Sequence, residues 1–203
     1  MKHLRLFLLL TISLSFTGCV RMYGIKTLKS LPTNAIVKQA NKYHIPASSS
    51  YVLDSNYRKL LASFDTALYA QQINNHAQPL QALYYNQEGQ LVSFHINCYA
   101  GGFPNLNWNR EENFQVFPPK QQAPVDSLIS LATLLQHLQA LPGSNPITIN
   151  PKQTNTYTLI VFWSRFMGRQ SERFLQVIQE NHQTFAPASI PILYVNTDNF
   201  FVP

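Results

Sequence analysis

Two cysteines in 203 residues, and charged residues at only 12 %, exclude several classes of protein at the outset. If Cys19 is taken by another role, Cys98 is the only thiol left, so no disulfide framework can form within the chain. The 15 Lys and Arg residues against 9 Asp and Glu leave a formal charge of +6. The basic residues form no run of the kind that marks a nucleic-acid stripe, so no nucleic-acid partner is expected. His44, His76, His95, His137 and His182 are scattered, without His-x-x-x-His spacing or a cysteine partner, and no metal or other cofactor is expected. No Gly-x-Ser-x-Gly and no phosphate loop occurs, so no catalytic residue is assigned. Beyond the first eighteen residues no apolar run is long enough to span a bilayer.

The N-terminus carries the clearest local signal. Met1-Lys-His-Leu-Arg5 is a short basic start, Leu6 to Phe16 is apolar, and Phe16-Thr-Gly-Cys19 ends the segment with small residues before a cysteine. That is the pattern of a secretory signal. It resembles bacterial lipoproteins, which implies residues 1–18 as signal peptide and Cys19 as the lipidated first residue, palmitate included. The resemblance implies a protein held at the membrane of the cell envelope by the lipid on Cys19 and facing the periplasm. Loss of Lys2 and Arg5 with the signal lowers the charge to +4. Residues 19–50 are expected to be a tether, with one short helix from Asn34 to Tyr43, and residues 51–203 a single domain.

Within that domain, Tyr57, Leu60, Leu61, Phe64 and Leu68 recur at helical spacing and predict one amphipathic helix of about four turns. Strand-like runs at Gln78–Tyr85 and Leu91–Tyr99, around Asn86-Gln-Glu-Gly89, predict a hairpin. In its second strand Val92, Phe94, Ile96 and Cys98 share the apolar face, so Cys98 is expected to be buried, and His95 lies on the polar face. Asp126 is expected to cap a helix carrying Leu128, Leu131, Leu135 and Leu138. Tyr157-Thr-Leu-Ile-Val-Phe-Trp163 is apolar on nearly every residue, as a strand buried on both faces reads. A turn at Gly168, a helix to His182 and a second apolar run, Ile190–Val195, complete a βαβ unit.

Phe162-Trp163-Ser-Arg-Phe-Met167-Gly168-Arg-Gln170 resembles the active-site segment of thioredoxin-like proteins, in which an apolar strand runs through Phe-Trp into Cys-x-x-Cys at a helix N-terminus. Tyr194-Val-Asn-Thr-Asp198 and Pro79-Leu-Gln-Ala-Leu-Tyr are similar to later parts of that family. The resemblance implies an α/β fold with a thioredoxin-like mixed sheet and flanking helices, its ββα and βαβ halves in exchanged sequence order. Met167 and Gln170 stand at both cysteine positions, so the resemblance brings a fold without thiol–disulfide chemistry. It also implies a cis Gln78–Pro79 bond facing the turn, and a binding surface for a peptide segment or envelope partner made by Gln78, Pro79, Arg165, Met167, Arg169 and Gln170. Two alternatives stay open: an envelope enzyme with its site in the long 101–119 loop, and a purely structural envelope lipoprotein.

Overall fold

The computed structural model describes residues 24–102, 106–147, 157–186 and 190–202. Cys19 and the signal segment lie outside the described residues, as do residues 103–105 of the long loop. In chain order the elements are α1 (Thr33–Lys42), β1 (Ser50–Leu53), α2 (Asn56–Ser63), α3 (Thr66–His76), β2 (Gln81–Asn86), β3 (Leu91–Ile96), α4 (Leu131–Leu135), β4 (Leu138–Ala140), β5 (Tyr157–Trp163), α5 (Arg169–Phe185) and β6 (Ile192–Asn196). Six strands make one mixed sheet in the order β3-β2-β5-β6-β1-β4. Strands β5, β6 and β1 run parallel, and β2, β3 and β4 pair antiparallel to their neighbours.

The near-continuous apolar run of β5 is explained by its central place. Leu159, Val161 and Trp163 belong to one core cluster, with Tyr43 of the α1 C-terminus and Phe174, Leu175 and Ile178 of α5. Ile160 and Phe162 point to the opposite face, against Tyr57 and Leu61 of α2 and Leu131 and Leu134 of α4. Helices thus cover both faces, and burial of each such large side chain contributes about 1.5–3 kcal/mol. The hairpin forms where the turn residues place it, with Gly89 at φ 74°, a conformation glycine reaches without a Cβ clash.

Several expectations are corrected. The segment 56–68 is two helices, because Phe64 is extended (ψ 148°) and the Asp65 carboxylate accepts from Ala67 N at 2.8 Å to start α3 anew. Leu68 is 69 % exposed. The helix after residue 128 is a short one capped by Ser130. Leu138 leaves it to pair with Leu53, since the outer edge of β1 offers backbone groups that need partners. Residues 31–50 are not a free tether: Leu31, Ile36, Ala40, Tyr43 and Ile45 are buried in the core. β3 ends at Ile96, so the alternation is broken before Cys98, which is exposed. His95 is fully buried because Phe114 lies over it at 4.5 Å between ring centroids.

Candidate functional site

The parallel strands β5 and β6 both deliver polar residues at their carboxyl ends, where open α/β sheets place ligands. Ser164, Ser171, Asn196, Thr197 and Asp198 are all buried there. A buried carboxylate needs hydrogen-bond donors, and Asp198 has three. Its Oδ2 accepts from Arg165 N at 2.7 Å and Asn196 Nδ2 at 2.7 Å, and its Oδ1 from Phe166 N at 3.1 Å. Ser171 Oγ donates to Ser164 O at 2.6 Å and accepts from Ser164 N at 3.1 Å. The bend after β5 is therefore clamped from two sides, by β6 and by the first turn of α5.

Gly168 closes the bend at φ 54°, and a Cβ there would lie 1.7 Å from the Gly24 carbonyl oxygen. That contact reveals what covers the bend. Lys26 N donates to Phe166 O at 2.9 Å, Arg165 Nη2 donates to Thr27 O at 3.1 Å, and the Asn199 amide holds Leu31 at both N and O, at 2.7 and 3.0 Å. Residues 24–31 thus run as a strap over the Arg165–Gly168 bend, held mainly through main-chain groups. Tyr43 of the α1 C-terminus reaches the same bend by donating to Gly168 O. Burial, then the negative charges of Glu172 and Asp198, push the Tyr43 phenol well above its ordinary range, so it stays a donor at every physiological pH.

Of the six candidate binding residues, Arg165, Met167, Arg169 and Gln170 lie on this bend, but Met167 and Gln170 are turned inward and buried. Gln78 and Pro79 reach the same edge indirectly. Thr197 Oγ1 donates to Pro79 O at 3.1 Å and lies 3.3 Å from Trp163 O. The Gln78 side chain faces the hairpin end instead, where its Oε1 accepts from Asn97 Nδ2 at 2.9 Å and from the Cys98 thiol at 3.0 Å. The expectation of a cis Gln78–Pro79 bond is not met: Phe117–Pro118 is the cis bond among the described residues. With Pro79 O engaged by Thr197 and the bond trans, Pro79 offers no free main-chain pairing site.

Two further polar clusters lie at the hairpin, one on each face of the sheet. His76 Nε2 and Asp126 Oδ1 are 3.0 Å apart, with His76 stacked on Phe94. Burial pushes the Asp126 carboxyl up, but the His76 hydrogen bond and charge and the Leu128 N–H outweigh it and leave it below its usual range. Asp126 lines cavities of about 240 and 420 Å³. On the other face His95 bonds Ser93 Oγ at 3.1 Å, which donates to Pro119 O at 2.6 Å. Burial holds the His95 imidazole at about 4, although a Gln122 hydrogen bond opposes it.

The long loop is laid into the core rather than opened over it. Trp108 packs on Phe174 at 4.1 Å between ring centroids, Asn181 Nδ2 donates to Phe114 O at 2.6 Å and Val116 O at 2.8 Å, and Glu111 and Glu112 face solvent. No group of three or more metal-ligating side chains occurs among the described residues, and none of their helices is long and apolar enough to cross a membrane.

Sequence reasoning missed the strap, Asp198 as the clamp of the bend, and the His76–Asp126 pair. The polar Asn196-Thr-Asp-Asn199 run after an apolar strand was the available signal for the clamp. The comparisons with known proteins add no further constraint: no family model, no curated protein and no solved structure matches the chain.

Proposed function

We propose that this chain is a lipid-anchored protein of the bacterial cell envelope, with a redox-inactive thioredoxin-like sheet that binds an extended peptide segment. The reading of the fold is supported by a βαβ unit (β5-α5-β6) sharing one sheet with the β2–β3 hairpin, β2 lying beside β5 with Gln81 opposite Phe162. Relative to that family the two pieces follow in exchanged sequence order. Disulfide exchange needs a thiolate attacker and a resolving partner, and the bend carries neither.

The observation that carries the binding function is the strap itself. The bend and Asn199 hold the main chain of residues 26–31 through carbonyl, guanidinium and amide groups, largely without reading its side chains. That is the chemistry of peptide capture by main-chain pairing. The groups that matter are thus Arg165, Phe166, Gly168 and Asn199, with Gln78 and Pro79 as support from behind. The resident segment is residues 24–31, and a partner's extended segment takes the same groups when it displaces them.

A photo-crosslinking residue in place of the half-exposed Phe166 tests this in the native envelope. A discrete intermolecular adduct, lost when Asn199 is changed to Ala, is the expected outcome. Intramolecular products alone leave the structural-lipoprotein alternative. Purified protein is expected to show no insulin-reductase activity.

A further inference from the structure

The charges of the molecule are not spread evenly. Between Cys19 and Leu53 the chain carries Arg21, Lys26, Lys29, Lys38 and Lys42 and no carboxylate at all. The fold brings this segment against a second group of cations. Arg165 holds the strap at Thr27, and Arg169 and Arg173 are exposed on the first turns of α5, which Tyr43 touches at Gly168. Lys38 and Lys42 are exposed one turn apart on α1, opposite its buried Ile36 and Ala40. Lys26 is held below its ordinary value, first by partial burial and then by the charges of Arg165 and Lys42. That places like charges from the strap, the bend and α1 near one another. The carboxylates whose charges act on Lys26 are Asp198 and Glu172, and Asp198 is buried and already engaged.

Like charges gathered on one surface cost stability unless a partner of opposite sign meets them. Chain length identifies that partner. Gly24, the first residue of the strap, is five residues beyond Cys19, and a fully extended chain covers at most about 3.6 Å per residue, so about 18 Å in all. The strap cannot leave the bend without breaking its main-chain bonds, so a lipid on Cys19 fixes which side of the domain faces the bilayer. Leu28, exposed on the strap, adds an apolar contact on that same side.

We propose that the basic surface formed by Lys26, Lys29, Lys38 and Lys42 docks on the anionic phospholipid headgroups of the bilayer that carries the anchor. The proposal rests on the lipid-anchor reading for its orientation. A single lipid attachment is commonly joined by a polybasic patch to make anchoring stable, and each Lys or Arg near an anionic surface strengthens binding about fivefold. The carboxyl edge of the sheet, with the bend and its strap, then faces the membrane, and a peptide that reaches the bend comes from a membrane-proximal partner.

The test uses the mature chain with Cys19→Ser, which carries no lipid, and co-sedimentation with vesicles of phosphatidylcholine alone or mixed with phosphatidylglycerol. The expected result is binding to the anionic vesicles at low salt, at least about tenfold over the neutral ones, and its loss at high salt. Lys38→Gln with Lys42→Gln weakens it about 25-fold, and both positions are exposed, so circular dichroism will show an unchanged fold. Equal partition into both vesicles, no binding, or a double variant that binds as well as the parent overturns the docking surface. The mass of the N-terminal peptide from native membranes reports on the anchor separately. An unmodified Cys19 there overturns the orientation and the lipoprotein reading, whatever the vesicles show.

Discussion

The carboxyl edge of the sheet and the two faces of the hairpin both bury polar side chains, and they differ in what those groups are bonded to. At the carboxyl edge Asp198 gathers three donors and Ser164 and Ser171 satisfy one another, while Trp163 Nε1 and Arg165 Nε are left without a hydrogen-bond partner. On the two faces of the hairpin, His76 Nδ1, Asp126 Oδ2, Gln81 Oε1 and Tyr84 Oη are buried without a hydrogen-bond partner. An unmade bond on a buried group costs roughly 1–3 kcal/mol. The first region spends its polar atoms on holding a bend in one shape, as a binding surface requires. The second holds His95 neutral by burial, so what it contributes depends on protonation.

Breaking the clamp should have the largest effect. Asp198→Ala leaves the N–H groups of Arg165 and Phe166 and the Asn196 amide without their acceptor, an expected loss of about 3–5 kcal/mol. Urea unfolding measures it, and Asp198→Asn, which keeps one acceptor oxygen, should lose clearly less. A clamp variant as stable as the parent removes the distinction between the two regions.

The hairpin side should declare itself through pH. His95 has a folded value of about 4 against about 6.5 in the unfolded chain. The unfolded state therefore takes up the proton first, and the stability contributed by neutral His95 is complete above about pH 6.5. It falls by about 1.4 kcal/mol per pH unit down to pH 4, a total of about 3 kcal/mol. Asp126, lowered instead, keeps its contribution through that window and loses it only as the pH falls through its folded value. Urea midpoints from pH 7 to 4 should decline in the parent and flatten in His95→Phe.

Gly168→Ala sharpens the comparison from the other side. A Cβ at φ 54° meets the Gly24 carbonyl, so the strap must lift, at about 1–2 kcal/mol. Faster amide exchange and proteolysis confined to residues 24–31, with the Asp198 clamp intact, are the expected signature. Smallest of all is the effect at Cys98: exposed beside Gln78, it should react with a thiol reagent in the native state without prior unfolding. Cys98→Ser should move stability by less than about 0.5 kcal/mol.

How much was legible in the chain depended on whether the signal was local. Tyr157–Trp163 reads as a doubly buried strand because both faces of β5 are in fact covered, and Phe174, Leu175 and Ile178 read as the buried stripe of α5 because helical spacing is a local property. The hairpin was legible through its turn. The long helix expected over 56–68 failed because spacing alone does not register an Asp able to restart a helix nine residues in. Leu138 failed because its partner, Leu53, is remote in sequence, and the apolar face of a helix and a short edge strand look alike at three residues.

The sequence by itself determined the α/β class, the βαβ unit, the hairpin and the absence of a thiol from Ser164 to Gln170, since each rests on side-chain period or residue identity. Only the tertiary structure decided that residues 24–31 close over the Arg165–Gly168 bend, that His95 is dry, that Cys98 is not, and that Pro79 is linked to β5 through Thr197. Those four outcomes depend on main-chain bonds and coverage between segments as much as 168 residues apart. A hydrogen bond from a backbone N–H leaves no mark on the residue type that makes it, which is why no reading of the chain in order reaches them.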